Sequence, residues 1–280
     1  MSTLPQLAAI YRSPSYSPLQ HATNDTAILD ATVAHFIDAG WAVHRLGEDD
    51  LVRRQTPKAD VYLNMCQGRL ASESLLALEA AGAQIYTRPS SVLSCHRHQL
   101  VTLLASAGIP APATALAATD GATAPALADH LVGDRLWVKR GDVHAERAED
   151  VVLVERGQLA AAIARFAARG VQRVAVQEHV EGVVYKFYGL ADGSFFEVYR
   201  ADTKEPVDGS VDRNRLRQLA LQAAAAVQLD IFGGDFVIGA GADPMMIDLN
   251  DWPSFAPVRA NAARAIATMV QNLISQGIAA

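Results

Sequence analysis

The chain has 280 residues, of which 50% are hydrophobic and 19% are charged, and its formal net charge is -6 at pH 7. This composition predicts a folded, mildly acidic globular protein and excludes a disordered chain. No run of Lys and Arg is dense enough for a nucleic-acid surface, and no apolar segment is long enough to cross a bilayer. We therefore expect neither partner and predict a cytoplasmic protein. Cys66 and Cys95 are too few for a disulfide framework, and the sequence carries no signature of oligomeric state.

The first third of the chain alternates short apolar runs with helical patterns. We predict strands over residues 7–11, 41–46, 61–65 and 85–86, and helices over residues 24–39 and 72–81. The first of these helices has a plausible cap at Asn24, and Gly40 follows its last residue. Because parallel strands need crossover helices, the alternation predicts a parallel βαβ sheet domain over residues 1–93.

The remaining chain, residues 94–280, combines helical patterns with strands suited to antiparallel pairing. A helix over residues 94–107 stops at Gly108, and the Ala-, Thr- and Pro-rich residues 113–126 predict a surface loop. Gly193 lies where a hairpin turn needs a positive φ. Further strands are predicted over residues 135–139, 151–155, 173–177, 183–190 and 194–200, and further helices over residues 158–168, 212–228 and 258–274.

The segment GGDFVIGAGADPMMIDLND is the most informative part of the sequence. Its two apolar runs are separated by glycine, aspartate and proline, which predicts an antiparallel hairpin. If Val237 pairs with Met246, Asp235 lies opposite Asp248. Side chains alternate along a strand, so Asn250 points to the same face as Asp248.

Three oxygen ligands, from Asp235, Asp248 and Asn250, would then meet on one face. Opposed carboxylates destabilise a sheet unless a cation lies between them, and Mg²⁺ suits this oxygen set. The alternative is that Asp235 caps a strand while Asp248 and Asn250 belong to a polar turn before Pro253.

Two lysines lie at the ends or in the middle of apolar strands. Lys139 ends the strand 135–139, and Lys186 lies inside the strand 183–190. A lysine in such a place needs an anionic partner or a path to water, and phosphate is a suitable partner. Each lysine alone is also compatible with a solvated strand edge.

The order and spacing of these elements resemble the ATP-grasp superfamily over roughly residues 95–275. The resemblance implies an α/β fold, with α+β subdomains, in which the parallel sheet domain precedes a two-subdomain ATP-grasp fold. It divides residues 94–280 into a lid subdomain at about 113–178 and a metal-binding subdomain at about 179–280. The IDLN form resembles the inositol-polyphosphate kinase and related small-molecule branches. The motifs that carry the resemblance are GIPAP (108–112), LWVKR (136–140), VQEHVEG (176–182), YKFYG (185–189) and IDLNDWPSF (247–255).

The resemblance assigns roles to individual residues. Lys139 and Lys186 would contact ATP phosphates, Glu181 the ribose, and Asp235, Asp248 and Asn250 would hold Mg²⁺, with Mn²⁺ as an alternative. Arg97 stands where relatives usually have lysine, which changes the point charge into a planar fork. The adenine edge would be contacted by backbone groups of Gln177, Glu178, His179 and Val180.

Three residues are candidates for the chemistry itself: Lys186, Arg200 and Arg213. The chain departs from the family after Lys139, where RGDVHAERAED replaces a glycine-rich loop. We expect residues 140–149 to cover the phosphates through side chains such as Arg140 or His144, although His144 is also compatible with a solvated loop histidine. Residues 64–68, at the end of a predicted parallel strand, are a candidate acceptor site; the alternative is a simple strand-to-helix turn.

The function that these expectations favour is an ATP-dependent ligase that joins a small carboxylate to an amine through an acyl-phosphate. A kinase of a small polyol or phosphorylated polyol would use the same nucleotide site. A nucleotide-binding module without activity is the third alternative. The acceptor has no signature in the sequence.

Overall fold

The computed structural model describes residues 4–17, 19–53, 56–120, 131–143, 147–207, 209 and 211–277. Within these ranges no helix combines the length and apolar character needed to span a bilayer. The strands are β1 (Gln6–Tyr11), β2 (Ala42–Gly47), β3 (Val61–Asn64), β4 (Gln84–Tyr86), β5 (Thr114–Ala118), β6 (Arg135–Arg140), β7 (Val151–Glu155), β8 (Arg173–Glu178), β9 (Val183–Leu190), β10 (Phe196–Arg200), β11 (Ile231–Ile238) and β12 (Met245–Asp251). The helices are α1 (Leu19–Asp38), α2 (Glu48–Arg53), α3 (Arg69–Ala80), α4 (Pro89–Ser94), α5 (Arg97–Ser106), α6 (Leu159–Ala168), α7 (Arg213–Ala226) and α8 (Arg259–Gly277).

The first sheet is parallel, with the strand order β2-β1-β3-β4. The four central residues of β1, 7–10, are buried. Their apolar side chains project from both faces of the strand, which is typical of a sheet covered by helices on both sides. Leu7 packs with α1 on one face, and Ile10 packs with α2 and α3 on the other. The predicted parallel domain is confirmed in its strand direction.

Helix α8, near the end of the chain, packs in the same core as α1 and the first sheet. Ile266 and Val270 of α8 are fully buried in the same cluster as Ile28 and Phe36 of α1. Helices α1 and α8 therefore share one hydrophobic core. The domain boundary at residue 93 stays a prediction. The core just described contains residues from both sides of that boundary.

Two antiparallel sheets follow, with the strand orders β5-β8-β6-β7 and β10-β9-β11-β12. Helix α6 covers one face of the earlier sheet, where Ile163 and Phe166 pack against Leu136 and Val138. Helices α5 and α7 cover one face of the later sheet. The predicted α/β class, a parallel sheet followed by two further sheets, is confirmed.

Several predicted boundaries were wrong. Residues 113–126 were predicted to be a surface loop, but Thr114–Ala118 forms strand β5, because β8 offers an edge that an alanine-rich segment can join. Asn24 is not a cap, since α1 begins five residues earlier, at Leu19. The helix predicted over residues 94–107 is α5, which begins only at Arg97, because Cys95 and His96 separate it from the end of α4 at Ser94. Residues 119 and 120 follow this strand. The rest of the predicted loop, residues 121–126, lies outside the described residues.

The register of the β11–β12 hairpin was predicted correctly at Asp235 and Asp248 but not nearer the turn. Asp235 pairs with Asp248, as expected, but a bulge between Asp235 and Phe236 shifts the register by one residue beyond it. Phe236, and not Val237, therefore lies opposite Met246. The bulge lies on the far side of Asp235, so the pairing of the two carboxylates is unaffected.

Gly234 of β11 is required by close packing on both sides. A Cβ at this position would overlap the carbonyl oxygen of Asp248 and come within 2.6 Å of the Phe187 ring. We expect Gly234→Ala to lower the free energy of unfolding by about 1–3 kcal/mol, the usual cost of overpacking. Urea unfolding monitored by circular dichroism measures the change. Gly157→Ala, where a Cβ meets open space, is the control and should shift the urea midpoint little; equal midpoints for the two variants would contradict the packing argument.

Candidate functional site

A row of polar side chains crosses the last sheet. Backbone pairing places Tyr199 opposite Lys186, Lys186 opposite Asp235, and Asp235 opposite Asp248. Directly opposed side chains lie within about 5.5 Å of each other. Adjacent residues such as Phe187 point to the opposite, buried face. The row therefore aligns one ammonium group and two carboxylates on the face that the helices α5 and α7 leave open.

Lys186 and Asp235 form an ion pair in the middle of this row. Nζ of Lys186 lies 2.9 Å from Oδ1 and 3.1 Å from Oδ2 of Asp235. Burial lowers the pKa of Lys186, but Asp235, with smaller contributions from Tyr188 and Asp248, raises it, and the net shift is upward. Burial raises the pKa of Asp235, and Lys186 only partly offsets this. Additional positive charge beside Asp235 would therefore stabilise its ionised form.

Arg97 of α5 binds the second carboxylate. Its Nη2 donates to Oδ1 and Oδ2 of Asp248, at 3.3 and 3.1 Å, and its Nη1 donates to the carbonyl oxygen of Arg140 at 3.3 Å. Nδ2 of Asn250 lies 3.5 Å from Oδ2 of Asp248. The three residues predicted to hold a metal thus lie on one face, and Arg97 contacts the same group.

The donor chemistry of Asp235, Asp248 and Asn250 fits Mg²⁺ or Mn²⁺. Two carboxylates and an amide are hard oxygen donors, and Mg²⁺ commonly binds through one or two carboxylates plus phosphate oxygens and water. In the described part of the chain, no group of three or more His, Cys, Asp or Glu side chains gathers into a metal site. Two carboxylates and one amide would leave coordination positions for phosphate oxygens and water.

Lys139 joins the two antiparallel sheets. Its Nζ donates to Oε1 of Gln177 at 2.7 Å and to the carbonyl oxygen of Ile247 at 2.8 Å. The side chain is buried, and burial lowers its pKa to about 8, although Asp248 acts in the opposite direction. An anion close to this amine would favour its protonated form and so offset the effect of burial.

Two cavities meet at Arg97 and Asp248. The smaller, about 210 Å³, lies between the antiparallel sheets and is lined by Lys139 and Gln177 together with apolar residues such as Met246. The larger, about 720 Å³, lies between the last sheet and the N-terminal sheet. Its lining includes Arg12, Tyr16, Gln67, Lys186, Tyr188, Arg200, Asp235, Asp248 and Asn250. The polar row therefore lines the larger cavity, and Asp248, at one end of the row, borders both cavities.

The predicted hinge residues are largely occupied by contacts within the protein. The backbone N–H groups of Glu178 and His179 donate to the carbonyl oxygens of Ala113 and Arg135. The Glu178 carboxylate accepts from the backbone N–H of Val132. Strand β8 ends at Glu178, so His179 and Val180 lie beyond it, and His179 still donates its backbone N–H to Arg135.

Side chains of the hinge form a short chain of hydrogen bonds. Trp137 Nε1 donates to Nδ1 of His179 at 3.0 Å, which assigns the ring proton of a neutral His179 to Nε2. Nε2 lies 3.0 Å from Oε1 of Glu181, and Arg135 lies 2.6 Å from the same oxygen. Glu181 is exposed, and this network holds it beside the strand end.

The structure brings some of the remaining candidates to the cleft and places others elsewhere. Arg200 lines the larger cavity and pairs with Asp202 at 2.8 Å. Arg213 begins α7 and bonds to Glu197 at 2.9 Å and to the carbonyl oxygen of Phe196, at the edge strand β10. His144 lies outside the described residues. Arg140 pairs with Asp142 at 2.8 Å.

Arg12, on the N-terminal wall of the larger cavity, was not predicted from the sequence as a site residue. Arg12 bonds to Asp25 at 3.0 Å and to the carbonyl oxygen of Trp252 at 3.1 Å, and Gln67 bonds to Asp251 at 3.3 Å. Arg12 directly follows the buried strand β1, at the carboxyl edge of a parallel sheet, and that position was the available signal.

Residues 64–68 enter the larger cavity only in part. Gln67 lines it, as predicted for this segment. Asn64 is fully buried, and its side chain bonds to the carbonyl oxygen of Thr87 and the backbone N–H of Cys66. Asn64 therefore shapes the turn after β3.

Comparison with known proteins gives structural likeness only. No family model matches the chain, and no curated protein matches it in sequence. Among solved structures, D-alanine–D-alanine ligase from Bacillus anthracis complexed with ATP has a TM-score of 0.73 at 13% identity, covering 97% of this chain and 96% of the ligase. The D-Ala:D-Ser ligase VanG from Enterococcus faecalis gives 0.72 at 14%, covering 98% and 99%. The ATP-grasp ligase PsnB, complexed with a precursor peptide and AMPPNP, gives 0.65 at 17%, covering 96% and 99%.

The chain has the ATP-grasp fold. The match extends over nearly the whole of both chains, so it includes the N-terminal sheet as well as the two antiparallel sheets. The resemblance stated from the sequence motifs is thereby confirmed at the level of fold.

Proposed function

We propose that this protein is an ATP- and Mg²⁺-dependent ligase that joins a small carboxylate substrate to an amine and releases ADP and phosphate. The observation that carries the proposal is the polar row, in which Asp235 and Asp248 lie opposite each other beside Asn250, with Lys186 and Arg97 paired to the carboxylates. This arrangement provides both cations and metal-ligating oxygens in one cleft. The solved ligases of the same fold support the direction of the proposal.

The nucleotide would occupy the smaller cavity. Its apolar walls, including Met246 and Leu104, suit an adenine ring, and Lys139 and Gln177 supply polar contacts at one end. Arg97 and Asp248 lie at the junction with the larger cavity, so the phosphate chain would run toward the polar row. Lys139 would exchange its bonds to Gln177 and Ile247 for a phosphate oxygen.

The protein's contribution would be positioning and charge neutralisation. Lys186 and Arg97 would bind phosphate oxygens that the transfer makes more negative, while Asp235, Asp248 and Asn250 would hold Mg²⁺. Mg²⁺ would neutralise the phosphate charge on which the transfer depends. A carboxylate oxygen of the first substrate would attack the γ-phosphorus and displace ADP. The amine nitrogen would then attack the acyl carbon and displace phosphate.

The larger cavity would hold the carboxylate and the amine. Arg12, Arg200 and Lys204 line it, which favours substrates with at least one anionic group. Its volume of about 720 Å³ leaves room for two small substrates side by side. The acceptor would therefore approach from the N-terminal wall, next to Gln67.

A product screen tests the ligase proposal. The protein is incubated with ATP, Mg²⁺ and pairs of amino acids, with other carboxylates and amines as further pairs, while ADP and free phosphate are measured and products are weighed by mass spectrometry. We expect equal amounts of ADP and phosphate together with a condensed product. A phosphorylated product without free phosphate would indicate the kinase instead. Bound ATP without turnover in any pair would indicate a nucleotide-binding module.

A further inference from the structure

Glu48, at the start of α2, is a buried carboxylate that contacts two separate loops. Its Oε2 accepts from the backbone N–H of Ser13 at 2.9 Å, and its Oε1 accepts from those of Gln67 at 3.2 Å and Gly68 at 2.5 Å. Only 2% of Glu48 is exposed. Burial raises its pKa, and the three backbone N–H groups act against that shift. Both carboxylate oxygens are thus used to join one loop to another.

These loops follow the parallel strands β1 and β3 and form the N-terminal wall of the larger cavity. Arg12 and Tyr16 come from the loop after β1, and Gln67 comes from the loop after β3. Ligands of open parallel sheets bind at the carboxyl ends of the strands. Glu48 itself does not line the cavity, so it acts on the wall only through the backbone of its two loops.

Gly68 provides the space that this contact needs. A Cβ at Gly68 would lie 2.6 Å from Oε1 of Glu48 and 2.5 Å from the Tyr16 ring. The backbone of Gly68 has φ -72 and ψ 139, which any residue adopts. Glycine is therefore required here by the close approach of Glu48 and Tyr16.

The two loops also contact the strand that carries the polar row. Gln67 bonds to Asp251 at 3.3 Å, and Arg12 bonds to the carbonyl oxygen of Trp252 at 3.1 Å. Asp251 directly follows Asn250 in β12. A loosening of the loops would therefore alter the larger cavity at the side away from the nucleotide.

We propose that Glu48 is a positioning residue for the acceptor side of the cleft, which it shapes by fixing the loops 12–17 and 65–68 to each other. The assignment of that side to the acceptor rests on the proposed ligase function. The mechanical part, the joining of the loops, does not. Glu48 contacts neither cavity, so its removal should leave the nucleotide side unchanged.

The reactivity of the two cysteines can show whether Glu48 holds the two loops together. Cys66 lies in the loop 65–68 and Cys95 lies at the end of α4, and both thiols are buried. Burial raises the pKa of both thiols, so each reacts slowly until its surroundings open. Because the chain has two cysteines, mass spectrometry after iodoacetamide labelling gives the rate for each separately.

The test compares Glu48→Gln with the unchanged protein. Whichever way the glutamine amide turns, its NH₂ group faces a backbone N–H, so one loop loses its acceptor. We expect Cys66 to be labelled at least tenfold faster, Cys95 to change less than threefold, and the Kd for Mg²⁺-ATP in calorimetry to stay within twofold. Equal acceleration of both cysteines, or an unchanged rate at Cys66, would overturn the proposal.

Gly68→Ala is the second variant, and it keeps the test decisive if Glu48→Gln does not fold. The added methyl pushes against the carboxylate without removing it, so Cys66 should again be labelled faster than Cys95. Glu79→Gln is the matched control, since Glu79 accepts from the backbone N–H of Ser90 at 3.0 Å at the start of α4. In Glu79→Gln, Cys66 should be labelled at the same rate as in the unchanged protein. A labelling rate as high as in Glu48→Gln would also overturn the proposal.

A kinetic measurement addresses the acceptor. For the substrate pair that supports phosphate release, Glu48→Gln should raise the KM of the acceptor about tenfold and leave the KM of ATP within twofold. An equal rise in the KM of the acceptor and the KM of ATP would show that Glu48 has a general structural role. The labelling result does not depend on turnover. A failure of the ligase proposal can therefore be distinguished from a failure of the proposal that Glu48 joins the two loops.

Discussion

Replacing Asp248 by asparagine is expected to lower ATP turnover by on the order of 100-fold or more. Asp248 would be a ligand of Mg²⁺, and metal-ion charge stabilisation is worth several kcal/mol, where about 1.4 kcal/mol corresponds to a factor of ten. The asparagine keeps one oxygen for Arg97, whose Nη2 lies 3.1 Å from Oδ2 of Asp248. We therefore expect the fold to survive, with a small change in melting temperature.

A metal titration distinguishes loss of the ligand from loss of the Arg97 contact. ADP release is measured against Mg²⁺ concentration, and the half-saturating concentration should rise in Asp248→Asn. Asp243→Asn is the control, because Asp243 is an exposed carboxylate in the turn of the same hairpin. Normal turnover and normal Mg²⁺ dependence in Asp248→Asn would remove this residue from the metal site.

The pairing of Asp235 with Asp248 was predictable because it depends on local features. Strand side chains alternate with a period of two, and the glycine-rich turn fixes which strands pair. The bulge between Asp235 and Phe236 was not predictable from these features, since neither alternation nor turn composition shows where one strand has an extra residue. The prediction was nevertheless correct at the carboxylates, because the shift begins after them.

The N-terminal wall of the cleft could not be predicted in the same way. Arg12 and Trp252 are 240 residues apart, and Gln67 and Asp251 are 184 residues apart. No periodicity links such positions. They meet because both parts of the chain contribute to one hydrophobic core, which includes α1, α8 and Trp252. The strand Thr114–Ala118 was missed for a related reason: its alanines have low strand propensity, and the edge of β8 supplies the pairing.

Replacing Lys139 by alanine is expected to weaken Mg²⁺-ATP binding by roughly 10- to 150-fold. The change removes a charge-assisted hydrogen bond to phosphate, worth about 1.5–3 kcal/mol. Alanine also leaves Gln177 and the carbonyl oxygen of Ile247 without the donor that they have in Lys139. Lys139→Met fills the same space without the charge, so calorimetry should give a similar loss for both variants. Lys58→Ala, at an exposed lysine remote from both cavities, should bind normally.

The affinity of the unchanged protein should fall as the pH rises through about 8. Burial lowers the pKa of Lys139 from 10.5 to about 8, so the free protein carries the ammonium charge below that pH and loses it above. Bound phosphate favours the charged form, so at higher pH binding must include the uptake of a proton by Lys139, and the apparent Kd increases. Calorimetry between pH 6.5 and 9.5 measures this slope, and Lys139→Met provides the background from all other groups. If the two proteins lose affinity in parallel over this range, Lys139 is not in contact with the phosphates, and its bonds to Gln177 and Ile247 are its whole role.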